Sequence, residues 1–334
     1  MLAASVVRTD ATDPLSGLVV GERPAPSPRP GWTTVTVRAA ALNHHDVWAL
    51  RGAAGLRAEQ LPMILGTDAS GVTPDGREVV VHTVIGSSIR SQTATVPDEP
   101  RSLLSEKHPG TLAEQVAVPD GNLVDKPAEL GFDEAACLPT AWLTAYRMLF
   151  REARLHPGQS VLVQGSGGGL ASAAISLGAA AGLTVVATGR TPSTRAWARS
   201  LGATEAVEPG TRMDRGTRLG RRVDAVLESV GAATWQHSLR SVRPGGTVVV
   251  AGVTSGDPAP ALLRRVFYDE LTVRGVMVGS RDELEDLLAF LVRTGLRPQV
   301  GAVVALTDVA AGLRRMIDGD VRGKVVVRPG ADRP

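Results

Sequence analysis

Cysteine is nearly absent from this chain: Cys137 stands alone among 334 residues. A lone thiol excludes an internal disulfide and any multi-cysteine zinc or iron–sulfur centre, and it suits a reducing cytoplasm. Excess charge of one sign is lacking too, with 36 basic against 34 acidic side chains and a net charge of +2. Aromatic residues make up only 3% of the chain and interleave with no basic run, so nucleic acid is not an expected partner. Lysine is scarce, three residues against 33 arginines, which reads as GC-rich coding rather than a basic function. No apolar stretch of 18 residues is free of charges or breakers, so no membrane span is expected. The N-terminus shows no charged segment leading into a long apolar core, so no secretory leader is expected either, and the expected location is cytoplasmic. A chain 43% hydrophobic supports sizeable cores, and its length favours two domains at one per ~150 residues.

Glycine, by contrast, is concentrated where it matters. The run Val161-Leu162-Val163-Gln164-Gly165-Ser166-Gly167-Gly168-Gly169-Leu170-Ala171 is an apolar β-branched segment feeding a glycine-rich turn. The turn opens onto a stretch dense in Ala, Ile and Leu. That is the strand–turn–helix of a dinucleotide-binding unit, where a pyrophosphate needs close backbone approach and the positive end of a helix. With Gly168 as the middle glycine of the fingerprint, Ala171 takes the third place and Ser166 departs from the first. A second strand, 184–188, completes the unit and ends Thr188-Gly189-Arg190-Thr191, where an NAD site carries a carboxylate for the ribose hydroxyls. A guanidinium there can bind a 2′-phosphate through two parallel hydrogen bonds. The expected cofactor is therefore NADP(H). Its contacts are Ser166, Gly167, Gly168, Gly169 and Leu170 in the turn, and Gly189, Arg190, Thr191 and Arg195 beyond the second strand, with Arg190 leading. The alternative is that both arginines are solvated residues opening a surface helix.

Residues 1 to about 125 read as β-rich, with strands expected at 33–40, 78–82 and 113–118 and a proline-rich turn over 23–31. The polar stretch 86–109 lacks periodicity and reads as a long loop. A helix interrupted near Pro139 is expected over 132–151. Strands at 161–164, 184–188, 206–208, 223–229, 247–251 and 271–278 then alternate with helices such as 193–201 and 234–241. Such alternation is the pattern of a parallel, doubly wound α/β sheet. The tail adds a helix at 282–294, a strand at 300–305, a helix at 307–318 and a closing strand at 324–328. Loops at the carboxyl ends of such strands bind ligands, which adds Ser229, Gly252, Val253, Thr254, Val278 and Gly279 to the expected cofactor contacts.

Other segments matter by their order and spacing. They are Ala41-Leu42-Asn43-His44-His45-Asp46-Val47-Trp48 with Arg51-Gly52; Leu65-Gly66-Thr67-Asp68-Ala69-Ser70-Gly71; Gly110-Thr111-Leu112-Ala113-Glu114; Leu138-Pro139-Thr140-Ala141-Trp142-Leu143-Thr144-Ala145-Tyr146; Ser200-Leu201-Gly202-Ala203; and Gly323-Lys324-Val325-Val326-Val327. With the glycine turn they resemble the medium-chain dehydrogenase/reductase superfamily, and within it the zinc-free quinone-oxidoreductase-like branch. The resemblance implies a Rossmann doubly wound parallel sheet inserted in a GroES-like β-barrel catalytic domain, with the active site in the cleft between them. The implied bounds are 1–130 for the first part of the catalytic domain, 131–278 for the NADP-binding domain and 279–334 for the return segment. It also implies a homodimer paired through the last Rossmann strand, 271–278.

The resemblance places Asn43, Thr67 and Thr140 where zinc alcohol dehydrogenases carry the Cys, His and Cys of their catalytic metal. An amide and two hydroxyls cannot replace thiolate and imidazole, so no metal is expected. The cysteine-rich lobe of a structural zinc is missing as well, since 86–109 holds no cysteine. An alternative set of His44, His45, His82 and Cys137 lacks ligand spacing on one face.

Without a metal, a carbonyl must be polarised by hydrogen bonds while the cofactor supplies hydride, which suits reduction of a small enone or quinone. Asn43 is expected either to donate to the developing oxyanion or to cap a turn. Asp46 is expected to orient Asn43 or a neighbouring histidine, or to cap a helix starting at Val47. His45 falls where the superfamily's zinc enzymes carry a proton-relay hydroxyl, and imidazole can pass a proton near neutral pH. Thr140 and Thr144, four apart and so on one helical face, are expected to approach the nicotinamide and its phosphates. Lys324 matches a recurrent lysine of the family and is expected at the cofactor cleft or in a surface ion pair. Two other functions stay open: a zinc-free NADP-dependent alcohol dehydrogenase or ketone reductase, and an NADPH-binding sensor or structural protein with little catalysis.

Overall fold

The computed structural model describes every residue except 28, 54, 87–95, 97–98 and 331–334. It divides into two compact units, Met1–Ala141 with Ser280–Pro334, and Trp142–Gly279.

The spine of the first unit is the strand Trp32–Ala41, which turns Val35, Val37 and Ala39 inward and leaves Thr36 and Arg38 exposed. That is the period-two pattern of a half-buried strand. Its sheet runs in the order Leu123–Asp125, Glu78–Val81, Asp68–Val72, Trp32–Ala41, Lys324–Arg328, Val300–Ala305, with Gln115–Pro119 pairing the first half of the spine. Leu2–Val6 and Leu18–Glu22, not expected as strands, form a further three-stranded sheet with Met63–Ile64. Leu2–Val6 is alanine-rich, and pairing on both its edges outweighs its weak propensity. The stretch 86–109 is not all loop, because Ser102–Leu103 pairs with Val84–Ile85; residues 87–95 and 97–98 within it lie outside the described residues.

Leu42, Leu50, Leu65, Leu112, Leu313 and Val325 pack in this unit's core. The closing strand matters most for the site. Val326 and Val327 register against Ala41 and Ala40, and the Leu42 amide donates to the Val325 carbonyl at 2.9 Å. This brings Lys324 beside Asn43 across 281 residues of sequence. At Gly66, with φ at 100°, a Cβ would fall 2.5 Å from Thr111 Oγ1 and 2.6 Å from the Leu112 nitrogen, so the turn before Thr67 accepts only glycine.

The second unit holds a six-stranded sheet, every pair parallel, in the order Glu205–Val207, Thr184–Thr188, Ser160–Val163, Val223–Glu228, Val242–Val250, Thr272–Gly275. This is the doubly wound 3-2-1-4-5-6 order. Ser160–Val163 is buried along its whole length, as a central parallel strand covered on both faces must be. Helices Gly169–Ala180, Pro192–Ser200 and Ala232–Ser241 connect the strands. The last strand ends at Gly275 rather than 278, since Val278 turns into the left-handed region at φ 49°. The fifth begins at Val242 rather than 247, and a register shift against Val223–Glu228 accommodates its Pro-Gly-Gly segment. The helix expected over 132–151 is broken into Phe132–Ala136, Leu143–Tyr146 and two π-helical stretches, Leu138–Trp142 and Arg147–Glu152. Pro139 supplies no N–H for an α-turn. Among the described residues, no helix is long and apolar enough to cross a membrane.

Candidate active site and nucleotide site

In the second unit the chain leaves Ser160–Val163 at Gln164, reverses at Gly165 with φ at 81°, and enters the helix Gly169–Ala180 through Gly168. No side chain caps this helix, so the amides of its first turn keep their donors for something else. A Cβ built on Gly167 or Gly168 would meet no atom within 4 Å, so open space lies over both residues. Gly169 and Leu170 begin the helix at partly exposed positions. Ser166, the departure from the glycine fingerprint, is buried, and its hydroxyl donates to the Thr194 carbonyl at 3.1 Å. This bond ties the turn to the neighbouring helix.

The second strand's corner separates its four expected residues. Gly189 is demanded by packing, because a Cβ there would lie 2.9 Å from Arg195 Cγ. Arg195 donates to the Gly189 carbonyl at 2.9 Å and pairs with Glu208 at 3.2 Å, so its guanidinium is engaged within the corner. Thr191 caps the helix Pro192–Ser200 by accepting from the Thr194 amide. Arg190 and Thr191 are both exposed, and of the four only Arg190 makes no hydrogen bond or ion pair.

The loops 229–231 and 252–256 lie against one another. A Cβ on Gly252 would come within 2.8 Å of the Ser229 carbonyl, and Thr254 Oγ1 lies 3.5 Å from the same oxygen. Val253 is exposed, Val278 is buried, and Gly279 is the last residue of the unit. Thr144 is buried in Leu143–Tyr146, in this unit, whereas Thr140 belongs to the first.

Beneath these loops runs a polar network that the sequence did not reveal. Buried Glu228 accepts from the Val230 and Gly231 amides at 2.8 and 3.0 Å, from Thr234 Oγ1 at 2.9 Å and from Ser238 Oγ at 2.5 Å. Gln164 Nε2 donates to Ser238 Oγ and to His237 Nδ1, both at 2.9 Å. Gln164 Oε1 accepts from Thr188 Oγ1, which in turn accepts from the Gly165 amide. The signal available was a polar residue at the carboxyl end of each of two strands, Gln164 after Ser160–Val163 and Glu228 in Val223–Glu228.

In the first unit, Asn43 precedes the helix His44–Leu50, which starts three residues earlier than expected. Asp46 is fully buried; it accepts from the Asn43 amide at 2.8 Å and from the Gly66 amide at 3.0 Å. Burial pushes its pKa up, opposed first by the Asn43 hydrogen bond. It caps the helix start and braces the turn at Gly66. The Asn43 side chain is spent internally as well: Nδ2 donates to Thr67 Oγ1 at 2.9 Å and weakly to the Ala41 carbonyl, and Oδ1 accepts from Lys324 Nζ at 2.6 Å. Thr67 Oγ1 lies 3.1 Å from Thr140 Oγ1.

Lys324 is buried, so it is not in a surface ion pair. Its ammonium donates to the Leu42 carbonyl at 2.8 Å, to Asn43 and to Asp68 Oδ2 at 3.1 Å. His45 also differs from a presented proton relay. Its Nε2 lies 3.1 Å from Glu106 Oε1 and its Nδ1 3.4 Å from Ser105 Oγ, so both ring nitrogens are taken. His44 is exposed, and partial desolvation, then the Lys324 and Arg51 charges, hold its pKa below the ordinary imidazole value. Cys137 is buried, donates to the Asp133 carbonyl, and has its pKa pushed up to about 12 by burial. Among the described residues, no three His, Cys, Asp or Glu side chains are grouped to hold a metal ion.

A GroES-like β-domain joined to a doubly wound nicotinamide-type sheet defines a class of oxidoreductases. Residues 29–128 match the family described as "Alcohol dehydrogenase GroES-like domain", and residues 169–293 match "Zinc-binding dehydrogenase". The chain belongs to the medium-chain dehydrogenase/reductase superfamily, whose members use nicotinamide cofactors. A crystal structure of an NAD-dependent alcohol dehydrogenase is similar at 32% identity and a TM-score of 0.88, covering 99% of this chain and 100% of that one. A 2-octenoyl-CoA carboxylase reductase, solved in complex with NADP and 2-octenoyl-CoA, is similar at 25% identity and a TM-score of 0.85, covering 99% and 88%. Acryloyl-coenzyme A reductase of Sulfurisphaera tokodaii is 26% identical over 322 residues, 91% of this chain and 95% of that protein.

Proposed function

We propose that the protein is a zinc-independent, NADPH-dependent reductase of a small enone or quinone. The observation that carries this reading is the row Lys324, Asn43, Thr67 and Thr140. Zinc at these positions would meet two neutral hydroxyls and an amide whose oxygen already accepts from an ammonium. These residues do not fit the ion. The row is built from amide, hydroxyl and ammonium groups, with no thiolate or imidazole, which supports a carbonyl polarised by hydrogen bonds rather than by a metal.

The nucleotide site fits a dinucleotide. Gly167, Gly168 and the uncapped amides of Gly169 and Leu170 form the pyrophosphate cradle, and Arg190 presents an unengaged guanidinium for a 2′-phosphate. Bound nicotinamide supplies hydride to the β-carbon of an enone. Thr140, the half-buried end of the row, lies on the substrate side, Asn43 and Thr67 behind it hold it in place, and water provides the proton for the α-carbon. The similar structures are split, one named NAD-dependent and one solved with NADP, so the preference for NADPH rests on Arg190. Reduction of an activated double bond is supported by the names of the acryloyl-CoA and octenoyl-CoA relatives; ketone reduction is supported by the alcohol dehydrogenase.

The test is a substrate panel. Purified protein is mixed with NADPH or NADH and with enones, quinones or simple ketones, and loss of nicotinamide absorbance is followed. Turnover of enones or quinones with NADPH is expected. Turnover of ketones alone would replace this reading with the alcohol dehydrogenase, and binding without turnover with the sensor.

A further inference from the structure

We propose that Glu228 is a positioning residue for the nucleotide, because its carboxylate sets the direction of a buried hydrogen-bond chain that runs through Ser238 and Gln164 to the glycine turn and to His237. The effect on binding rests on the reading of that turn as the pyrophosphate cradle; the direction of the chain does not.

The members stand at the carboxyl ends of four strands that are neighbours in the second sheet. Gln164 follows Ser160–Val163, Thr188 ends Thr184–Thr188, Glu228 ends Val223–Glu228, and Thr211 lies in the loop after Glu205–Val207. His237 and Ser238 reach them from the helix Ala232–Ser241. Gln164, Glu228 and Ser238 are fully buried and Thr188 nearly so, which makes an unpaired hydrogen among them costly.

Each direction follows from what the previous group can donate. A carboxylate only accepts, so the Ser238 hydroxyl, 2.5 Å from Glu228 Oε2, must give it its one hydrogen. Ser238 Oγ can then only accept from Gln164 at 2.9 Å, which identifies that Gln164 atom as Nε2. Gln164 Oε1 thereby faces Thr188 and takes its hydroxyl hydrogen at 3.1 Å, while Thr188 Oγ1 accepts from the Gly165 amide at 2.8 Å. The second hydrogen on Gln164 Nε2 points at His237 Nδ1, 2.9 Å away, so that nitrogen carries none. The opposite end of the chain gives the same answer independently. His237 Nε2 lies 2.8 Å from the Thr211 carbonyl, an acceptor, so a neutral ring holds its hydrogen on Nε2 and its lone pair on Nδ1. Glu228 also accepts from the Val230 and Gly231 amides, so one carboxylate both holds the 229–231 loop and orients the residue that opens the glycine turn.

Glu228→Gln would reverse the chain. The Val230 and Gly231 amides can only donate, so they keep the new side chain's oxygen and turn its amide nitrogen toward Ser238. Ser238 must then accept there and donate to Gln164. Gln164 flips, and its oxygen requires a hydrogen on His237 Nδ1. Thr188 Oγ1 now faces two donors, the flipped Gln164 nitrogen and the Gly165 amide, and its own hydrogen has lost its acceptor, so the turn shifts.

Two measurements test this. The first is the protonation of His237, read by long-range proton–nitrogen NMR of the histidine-labelled full chain at about pH 7.5 and assigned by loss of the signal in His237→Asn. Wild type is expected to carry a hydrogen on Nε2 alone, and Glu228→Gln to carry one on Nδ1. A wild-type hydrogen on Nδ1, or a ring unchanged by Glu228→Gln, would overturn the proposal. The second is NADPH affinity by fluorescence titration, which Glu228→Gln is expected to weaken at least about tenfold. Affinity within about twofold of wild type would overturn the positioning role. Adding Gln164→Glu supplies an acceptor to Ser238, Thr188 and His237 at once, so the double variant is expected to recover most of the affinity. A double variant that binds no better than Glu228→Gln would overturn the proposal. Should Glu228→Gln not fold, the wild-type ring and the double variant carry the test. Absence of NADPH binding in the wild type would instead sink the nucleotide reading and leave the ring hydrogen to decide the direction of the chain.

Discussion

Arg190 is the residue on which cofactor choice turns. Arg195 and Thr191 are occupied by Glu208, Gly189 and the helix cap, so no neighbour stands ready to replace Arg190. Charged hydrogen bonds of this kind contribute about 1.5–3 kcal/mol each. Arg190→Ala should therefore weaken NADPH binding by about 10- to 100-fold while NADH binding stays within about twofold. Equal weakening of both, measured by fluorescence titration, would remove Arg190 from the phosphate role. Cys137 offers a second test at this scale. Its pKa is pushed from 9.0 to about 12 by burial, so above pH 9 the unfolded chain releases a proton that the folded one keeps. Stability must then fall as pH rises, by about 1.4 kcal/mol per pH unit for one group. Urea midpoints between pH 9.5 and 10.5 should drop more steeply for wild type than for Cys137→Ala. Parallel slopes would show that the thiol titrates normally in the fold.

At the scale of elements, the glycine turn separates conformation from recognition. Gly165 sits at φ 81°, so Gly165→Ala should cost about 1–2 kcal/mol and lower the Tm whether or not nucleotide is present. Gly167 is different: its Cβ would enter empty space. Gly167→Ala should leave the Tm within about 2 °C but weaken NADPH binding at least about tenfold, because the methyl fills the pyrophosphate cradle. A Gly167→Ala protein with normal affinity would show that the cradle is not the phosphate site. The turn was legible because strand, glycines and helix are adjacent in sequence and each carries its own period. The donor row was legible only in part. Asn43, Thr67 and Thr140 could be aligned with metal positions, but the role of Lys324 depends on a strand pairing made across 281 residues. His45 and Asp46 were singled out as candidates for proton transfer and for orienting or capping, while their partners Glu106, Ser105 and the Gly66 amide come from other loops that no local pattern announces. Glu228 and Gln164 were missed for the same reason, since their partners are brought together only by the folded sheet.

For the whole molecule, the parallel order of the second sheet leaves Thr272–Gly275 at an edge with Val273 and Met277 exposed. The neighbouring helix Leu263–Tyr268 exposes Leu263, Phe267 and Tyr268, the last 77% accessible. An open strand edge beside large apolar side chains is a surface that natural proteins cover. We propose a homodimer through this edge, and sedimentation velocity should find a dimer that Val273→Asp with Met277→Asp converts to monomer. A wild-type monomer at micromolar concentration would contradict the pairing. The metal question is also one for the whole protein, since one sample can report both composition and activity. Protein purified without chelator should contain far less than one zinc per chain by mass spectrometry, and enone reduction by NADPH should be unchanged after dialysis against a strong chelator. One zinc per chain, with activity lost on its removal and restored on its return, would contradict the account.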